Sequence, residues 1–162
     1  MACKKFLEAK KITSEHVSRD YAQEFQQISL ALMNPLDHED WCDLYVKLTN
    51  WDLELDEHPE LGLRQTLLDQ KRECNAEFGK FVERNYKDWI EQTGNRPALS
   101  TDIIEKFVVP EFDKNAAVFL FVVDCMRLDQ WIMMEQLLGE YFSFQRSYHY
   151  SILPTATPYS RN

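Results

Sequence analysis

Two residues near the C-terminus combine a reactive type with a telling position: Asp124, which closes the apolar run Ala117–Val123, and Thr157, which stands immediately before Pro158. A carboxylate where a buried strand surfaces has its direction fixed by the strand, and the open edge leaves room for other ligands. Asp124 is therefore a candidate ligand for a hard or borderline metal ion. On the local pattern it serves equally well as the cap of the next helix, whereas Asp129 fits capping better than ligation and Arg127 reads as half of a surface ion pair. Pro158 suits the first position of a helix and Thr157 its N-cap, which places the hydroxyl beside free amide N–H groups and the positive end of a helix dipole. Such a place stabilises a phosphoryl oxygen, and a Thr hydroxyl next to a metal can lose its proton and attack phosphorus. The plain alternative, a Thr-Pro helix cap, is the commoner use of this dipeptide.

The elements that must position these residues read as a βαβ unit. Ala117–Val123 is a continuous β-prone run without alternation, as expected of a strand buried on both faces. A helix over about Asp129–Tyr141 follows, with Trp131, Met134 and Leu138 on one face. Gln145–Leu153 then reads as a second strand, with Tyr148, Tyr150 and Ile152 alternating with smaller or more polar residues. A right-handed crossover makes the two strands parallel, so Asp124 and Thr157 would meet on the carboxyl edge of the sheet, where active sites of open α/β sheets form.

Upstream of residue 100 the periodicity is helical. Val17, Tyr21, Phe25, Ile28 and Leu32, behind Ser14 as N-cap, predict a helix over about 14–33 that stops at Asn34-Pro35. Asp37 caps a second helix with the inward stripe Trp41, Leu44, Tyr45, Leu48, Trp51 and Leu55. A third begins near Glu60, carries Leu63, Leu67, Cys74, Phe78, Phe81 and Trp89, and ends at Gly94 and Pro97. Short connections make this an antiparallel bundle of three helices, or four if Ser100–Pro110 adds one through Ile103, Ile104 and Phe107, closed by Pro110. The expected fold is mainly α: a bundle followed by an incomplete α/β segment. Residues 1–12 are an incoming helix end and linker, 13–99 the bundle, 100–115 a connection and 116–162 the α/β part.

Composition narrows the function. The net charge of -9 and the pI near 4.9 repel nucleic acid and anionic membranes. No apolar run approaches the roughly 18 residues of a membrane span, and Met1–Lys11 has no signal-peptide core, so a soluble cytoplasmic protein is expected. The cysteines Cys3, Cys42, Cys74 and Cys125 form no close pair, which speaks for reduced thiols. His38-Glu39 begins an HExxH pattern, but its fifth residue is Cys42, so the pattern fails. Glycines 62, 79, 94 and 139 are too scattered for a phosphate loop. Among residues 36–60 nine acids face one base, Lys47, which reads as a solvated helix face before it reads as a docking surface.

The C-terminal segments VVDCMRLDQW and LPTATPYSRN resemble the start of a PglZ domain, a branch of the alkaline phosphatase superfamily. The segment KKFLEAKKITSEHVSRDYAQEF resembles the linker of PorX-type response regulators of two-component signalling. The resemblance implies that Asp124 binds one of two zinc ions and that Thr157 is the nucleophile of a phosphatase or phosphodiesterase, with Thr155 the weaker match. It also implies an internal piece of a longer protein, since a receiver domain lies upstream and further zinc ligands lie downstream in that family. The piece alone is expected to be inactive, and its partners in the longer protein are a phosphoester substrate, a sensor histidine kinase and a transcription factor. From a different class comes the second expectation, a non-catalytic helical connector that relays signal or forms a homodimer.

Overall fold

A computed structural model describes residues 2–92, 96–112 and 117–160, with side chains from Thr13 onward and Thr157 excepted. The chain divides into two compact units, Met1–Tyr86 and Lys87–Asn162, the boundary falling in the last turn of the third helix.

The first unit holds α1 (Ala2–Ala31), α2 (His38–Glu57) and most of α3 (Arg64–Ile90). Ser14 does not start α1. The backbone is already helical from Ala2, because residues 2–13 contain no Gly or Pro and are rich in Ala, Lys, Leu and Glu, all good helix formers. Asp37 does cap α2: its carboxylate accepts the N–H groups of Glu39 and Asp40, and the Asp40 carboxylate accepts the Asp37 N–H in return. The Asp40 N–H leads in holding the Asp37 carboxyl below its ordinary range. Between α2 and α3 the chain makes a single tight turn at Pro59–Leu61 and reverses at Gly62, whose φ of +66° favours glycine. This turn delays α3 from the expected Glu60 to Arg64.

Side-chain pairs fix an up-down-up arrangement. Ser14 meets Glu60 and Phe25 meets Gln70, so α1 and α3 run parallel. Tyr21 packs edge-on against Trp51 and Glu24 pairs with Lys47, so α2 runs against α1. Trp41 packs on Phe78 and Phe81 while Asp52 takes Lys71, so α2 runs against α3 as well. The core between them comprises Val17, Tyr21, Ile28, Trp41, Leu44, Leu48, Leu55, Leu67, Cys74 and Phe81. This is the expected mainly α bundle. Tyr45, expected to point inward, is instead 58% exposed; it lies at the margin of the α2 stripe, and its polar end can stay in water.

The second unit does not show the expected βαβ pattern. Residues 117–123 pair with nothing in a ladder, and Phe119 and Phe121 are 76% and 82% exposed. A run that is apolar on both faces needs a neighbour on each edge and a cover on each face, and the described residues supply neither. Among the described residues, Tyr150 alone of the second expected strand pairs, and it pairs with Leu99, in parallel. Tyr150 N–H donates to the Ala98 carbonyl at 2.8 Å, Ser100 N–H donates to the Tyr150 carbonyl at 3.0 Å, and Ile152 N–H donates to Ser100 Oγ at 3.0 Å. Trp89, from the end of α3, packs edge-on against the Tyr150 ring. Leu99 is presented by a turn that Arg96 and Asp102 clamp with two hydrogen bonds of 2.6 and 3.1 Å, while Leu99 N–H donates to the same carboxylate. The Arg96 guanidinium leads in lowering the Asp102 pKa.

Helical structure continues past Pro110. One wide turn at Ile104–Val108, closed by the Val109 N–H reaching the Ile104 carbonyl, precedes α4 (Val109–Phe112). Proline lacks an N–H and its ring crowds the carbonyl four residues back; a local widening relieves that crowding, so Pro110 sits inside the helical segment instead of ending it. α5 (Leu128–Leu138) matches the expected helix, three residues shorter at its end, and α6 (Thr157–Ser160) is one turn. Gly94, expected to help end the third helix, and the junction expected at 115–116 lie outside the described residues.

Candidate functional site

Asp124 sits in a turn between the apolar run and α5. Its Oδ1 accepts the N–H of Cys125 at 3.0 Å, and Cys125 takes a left-handed φ of 59°. Three residues on, the start of α5 is held by its own side chains. Arg127 N–H donates to Gln130 Oε1 at 3.0 Å, Gln130 N–H donates to Asp129 Oδ1 at 2.9 Å, and the Arg127 guanidinium reaches Asp129 through Nε and Nη2 at 3.0 and 2.7 Å. Asp129 is thus in the first turn of α5 and not its N-cap; Arg127 occupies the cap position. The guanidinium leads in holding the Asp129 carboxyl below its usual range. The ion pair expected for Arg127 is present, and Arg127, Asp129 and Gln130 together fix the start of α5.

Thr157 opens α6 as its first helical residue, one place later than the N-cap expected for it; Tyr159 and Ser160 N–H groups both donate to the Ala156 carbonyl. A helix of one turn carries little macrodipole, so the anion-stabilising end expected there is slight. The Thr157 side chain lies outside the described residues. Among the described residues no three His, Cys, Asp or Glu side chains gather to hold a metal ion. Asp124 and its described neighbours do not by themselves make a zinc cage.

The first unit carries polar features that periodicity did not reveal. Ser14, buried in the middle of α1, donates to Glu60 Oε1 at 2.8 Å, and His58 Nδ1 lies 3.4 Å from the same oxygen. Gln70 is buried on the Leu67–Cys74 face of α3 and donates its amide N–H to the Phe25 carbonyl at 3.1 Å. Its Oε1, the Tyr21 hydroxyl and the Trp41 indole N–H are buried with no hydrogen-bond partner among the described residues. Burial, with Cys74 nearby, pushes the Tyr21 hydroxyl up to about 12; burial likewise pushes the Cys74 thiol up to about 11, which keeps it protonated and a poor nucleophile. The spacing of Leu67, Gln70 and Cys74 would have put Gln70 on the core face, but its polarity hid it.

Residues 11–90 match the family model of the PorX response regulator linker domain. The match supports a PorX-type linker region. Its C-terminal limit coincides with the last residue of α3, Ile90, and its start falls inside α1. The matched residues span the three-helix bundle, whose first helix is already continuous before the match begins. No curated protein matches the chain. Among the described residues no helix is long and apolar enough to cross a membrane.

Proposed function

We propose that the bundle is the signal-carrying connector of a two-component response regulator. The observation that carries this reading is α1: a single helix of 30 residues, about 45 Å long at 1.5 Å per residue, which runs unbroken from outside the linker match into the bundle core. A helix transmits rotation and translation along its axis, whereas a flexible joint would absorb them. A receiver whose last helix feeds α1, phosphorylated by a sensor histidine kinase, would shift α1 against α2 and α3. Association of two copies is a further way for the bundle to report that shift. Replacing residues 13–90 in the longer protein with a Gly/Ser linker should leave basal output and abolish its response to receiver phosphorylation. A response that survives the replacement contradicts the reading.

For the output, the sequence around Asp124 and Thr157 favours a phosphoester hydrolase of PglZ type in the cytoplasm, with Thr157 attacking phosphorus and Asp124 as one ligand of a two-zinc site. The carboxylate at a built turn and the Thr-Pro helix start support it. The remaining ligands would come from outside the described residues. A transcription factor is the expected downstream partner.

A further inference from the structure

We propose that Trp89 is a positioning residue for Thr157: packed on Tyr150, it lets the end of α3 set the path of the chain into α6. Trp89 is the penultimate residue of α3 and falls inside the linker match, which ends at Ile90. Its neighbour Ile90 is 48% exposed, yet Trp89, in the last turn of its helix, is only 4% exposed. Its cover includes Tyr150, whose ring it meets edge-on at 5.0 Å between centroids and 62° between planes. Both rings belong to the second unit, so the tie is internal to it. Tyr150 in turn does not stand alone. Its N–H and its carbonyl are bonded on either side of the buried Leu99, to Ala98 and to Ser100, and Ile152 N–H is held by Ser100 Oγ. The Arg96–Asp102 clamp shapes that turn.

A single bridging pair is a weak element, because so short a pairing is marginal in water unless apolar groups cover it. Trp89 supplies such cover to Tyr150. Further along, the chain is less enclosed: Leu153, Pro154, Thr155 and Ala156 are exposed, and α6 then opens with Thr157. Ala156 N–H donates to the Pro154 carbonyl at 2.8 Å, a local bond that shapes this approach without anchoring it. Residues 150–152 therefore tie the approach to Thr157 to the 98–100 turn, and Trp89 is the side chain of α3 that meets them. A nucleophile works only within a narrow geometric tolerance, so a loosened anchor costs rate while every reacting group is still present. The catalytic meaning of Trp89 rests on the hydrolase reading of Thr157; the tie itself does not.

Amide hydrogen exchange followed by nuclear magnetic resonance in the whole chain tests the tie without any activity. Trp89→Ala should speed exchange of the Tyr150 and Ile152 amides about tenfold and shift the Thr157 amide resonance. Trp89→Phe, which keeps a ring, should restore most of both, and Ile90→Ala should change neither. The Leu48 amide of α2 should keep its rate in all three variants, which separates a loosened tie from general unfolding. In the longer protein, Trp89→Ala should lower kcat for p-nitrophenyl phosphate about tenfold with KM within about twofold, and Trp89→Phe should recover most of the loss. Unchanged exchange at Tyr150 and Ile152 overturns the proposal, as does equal acceleration at Leu48. Faster exchange with an unmoved Thr157 resonance, or with unchanged kcat, overturns it too. Hydrolysis that survives Thr157→Ala removes the hydrolase reading instead and leaves the exchange result standing.

Discussion

Leu67→Ala should lower the stability of the helical unit by about 3 kcal/mol, within the range for removing a buried leucine from a packed core. Leu67 is fully buried, at 0% exposure, on the face of α3 that also carries Gln70 and Cys74. Truncation leaves a cavity that three helices must close, and backbone hydrogen bonds limit how far each can move. Against a typical total of about 5–15 kcal/mol for a domain, the loss is large enough to read as a lowered urea midpoint in far-ultraviolet circular dichroism. Leu30→Ala is the matched control: Leu30 is on α1 but 60% exposed, and its truncation should change stability by no more than about 0.5 kcal/mol. Equal effects at the two sites would mean that α3 does not pack as described.

In the longer protein, Thr157→Ala and Asp124→Ala should each reduce phosphoester hydrolysis by about a thousandfold or more, as loss of a nucleophile or of a metal ligand does. Thr155→Ala and Asp129→Ala should cost far less. Thr155 is the weaker match to the nucleophile, and Asp129 is engaged with Arg127 and the start of α5. Because the resemblance takes the remaining zinc ligands from sequence downstream of the nucleophile, the 162-residue chain alone should not turn over p-nitrophenyl phosphate with added zinc. Turnover by the 162-residue chain that Thr157→Ala abolishes would overturn that expectation. Activity retained in the longer protein by Thr157→Ala or Asp124→Ala would sink the assignment of that residue.

What the sequence made legible was whatever local periodicity governs. The stripes of Trp41, Leu44, Leu48 and Leu55 and of Leu67, Cys74 and Phe81 follow helix spacing, and burial follows them. The Asp37 cap was legible because its geometry is settled within four residues. Ser14 misled because serine is a good cap and an indifferent interior helix residue; its interior role depends on Glu60, 46 residues away, which no local rule reports. The β-prone run 117–123 misled differently. Its side chains favour a strand, but a strand exists only with its neighbours, and propensity does not provide them. Tyr150 finds Leu99 because Arg96 and Asp102 shape the turn that presents it, again a contact distant in sequence. Just after Asp124 the sequence did not show how Arg127, Asp129 and Gln130 fix the start of α5, since those roles depend on where the helix begins.

The most direct test of α1 as a continuous mechanical element is a pair of insertions between Lys11 and Ile12 in the longer protein, with output measured before and after receiver phosphorylation. One added alanine turns everything upstream by about 100° relative to the bundle, whereas seven added helix-forming residues bring it back to within about 20°. If α1 carries the signal, the single insertion should abolish the response and the seven-residue insertion should restore most of it. A response that survives both insertions equally would contradict transmission through the helix.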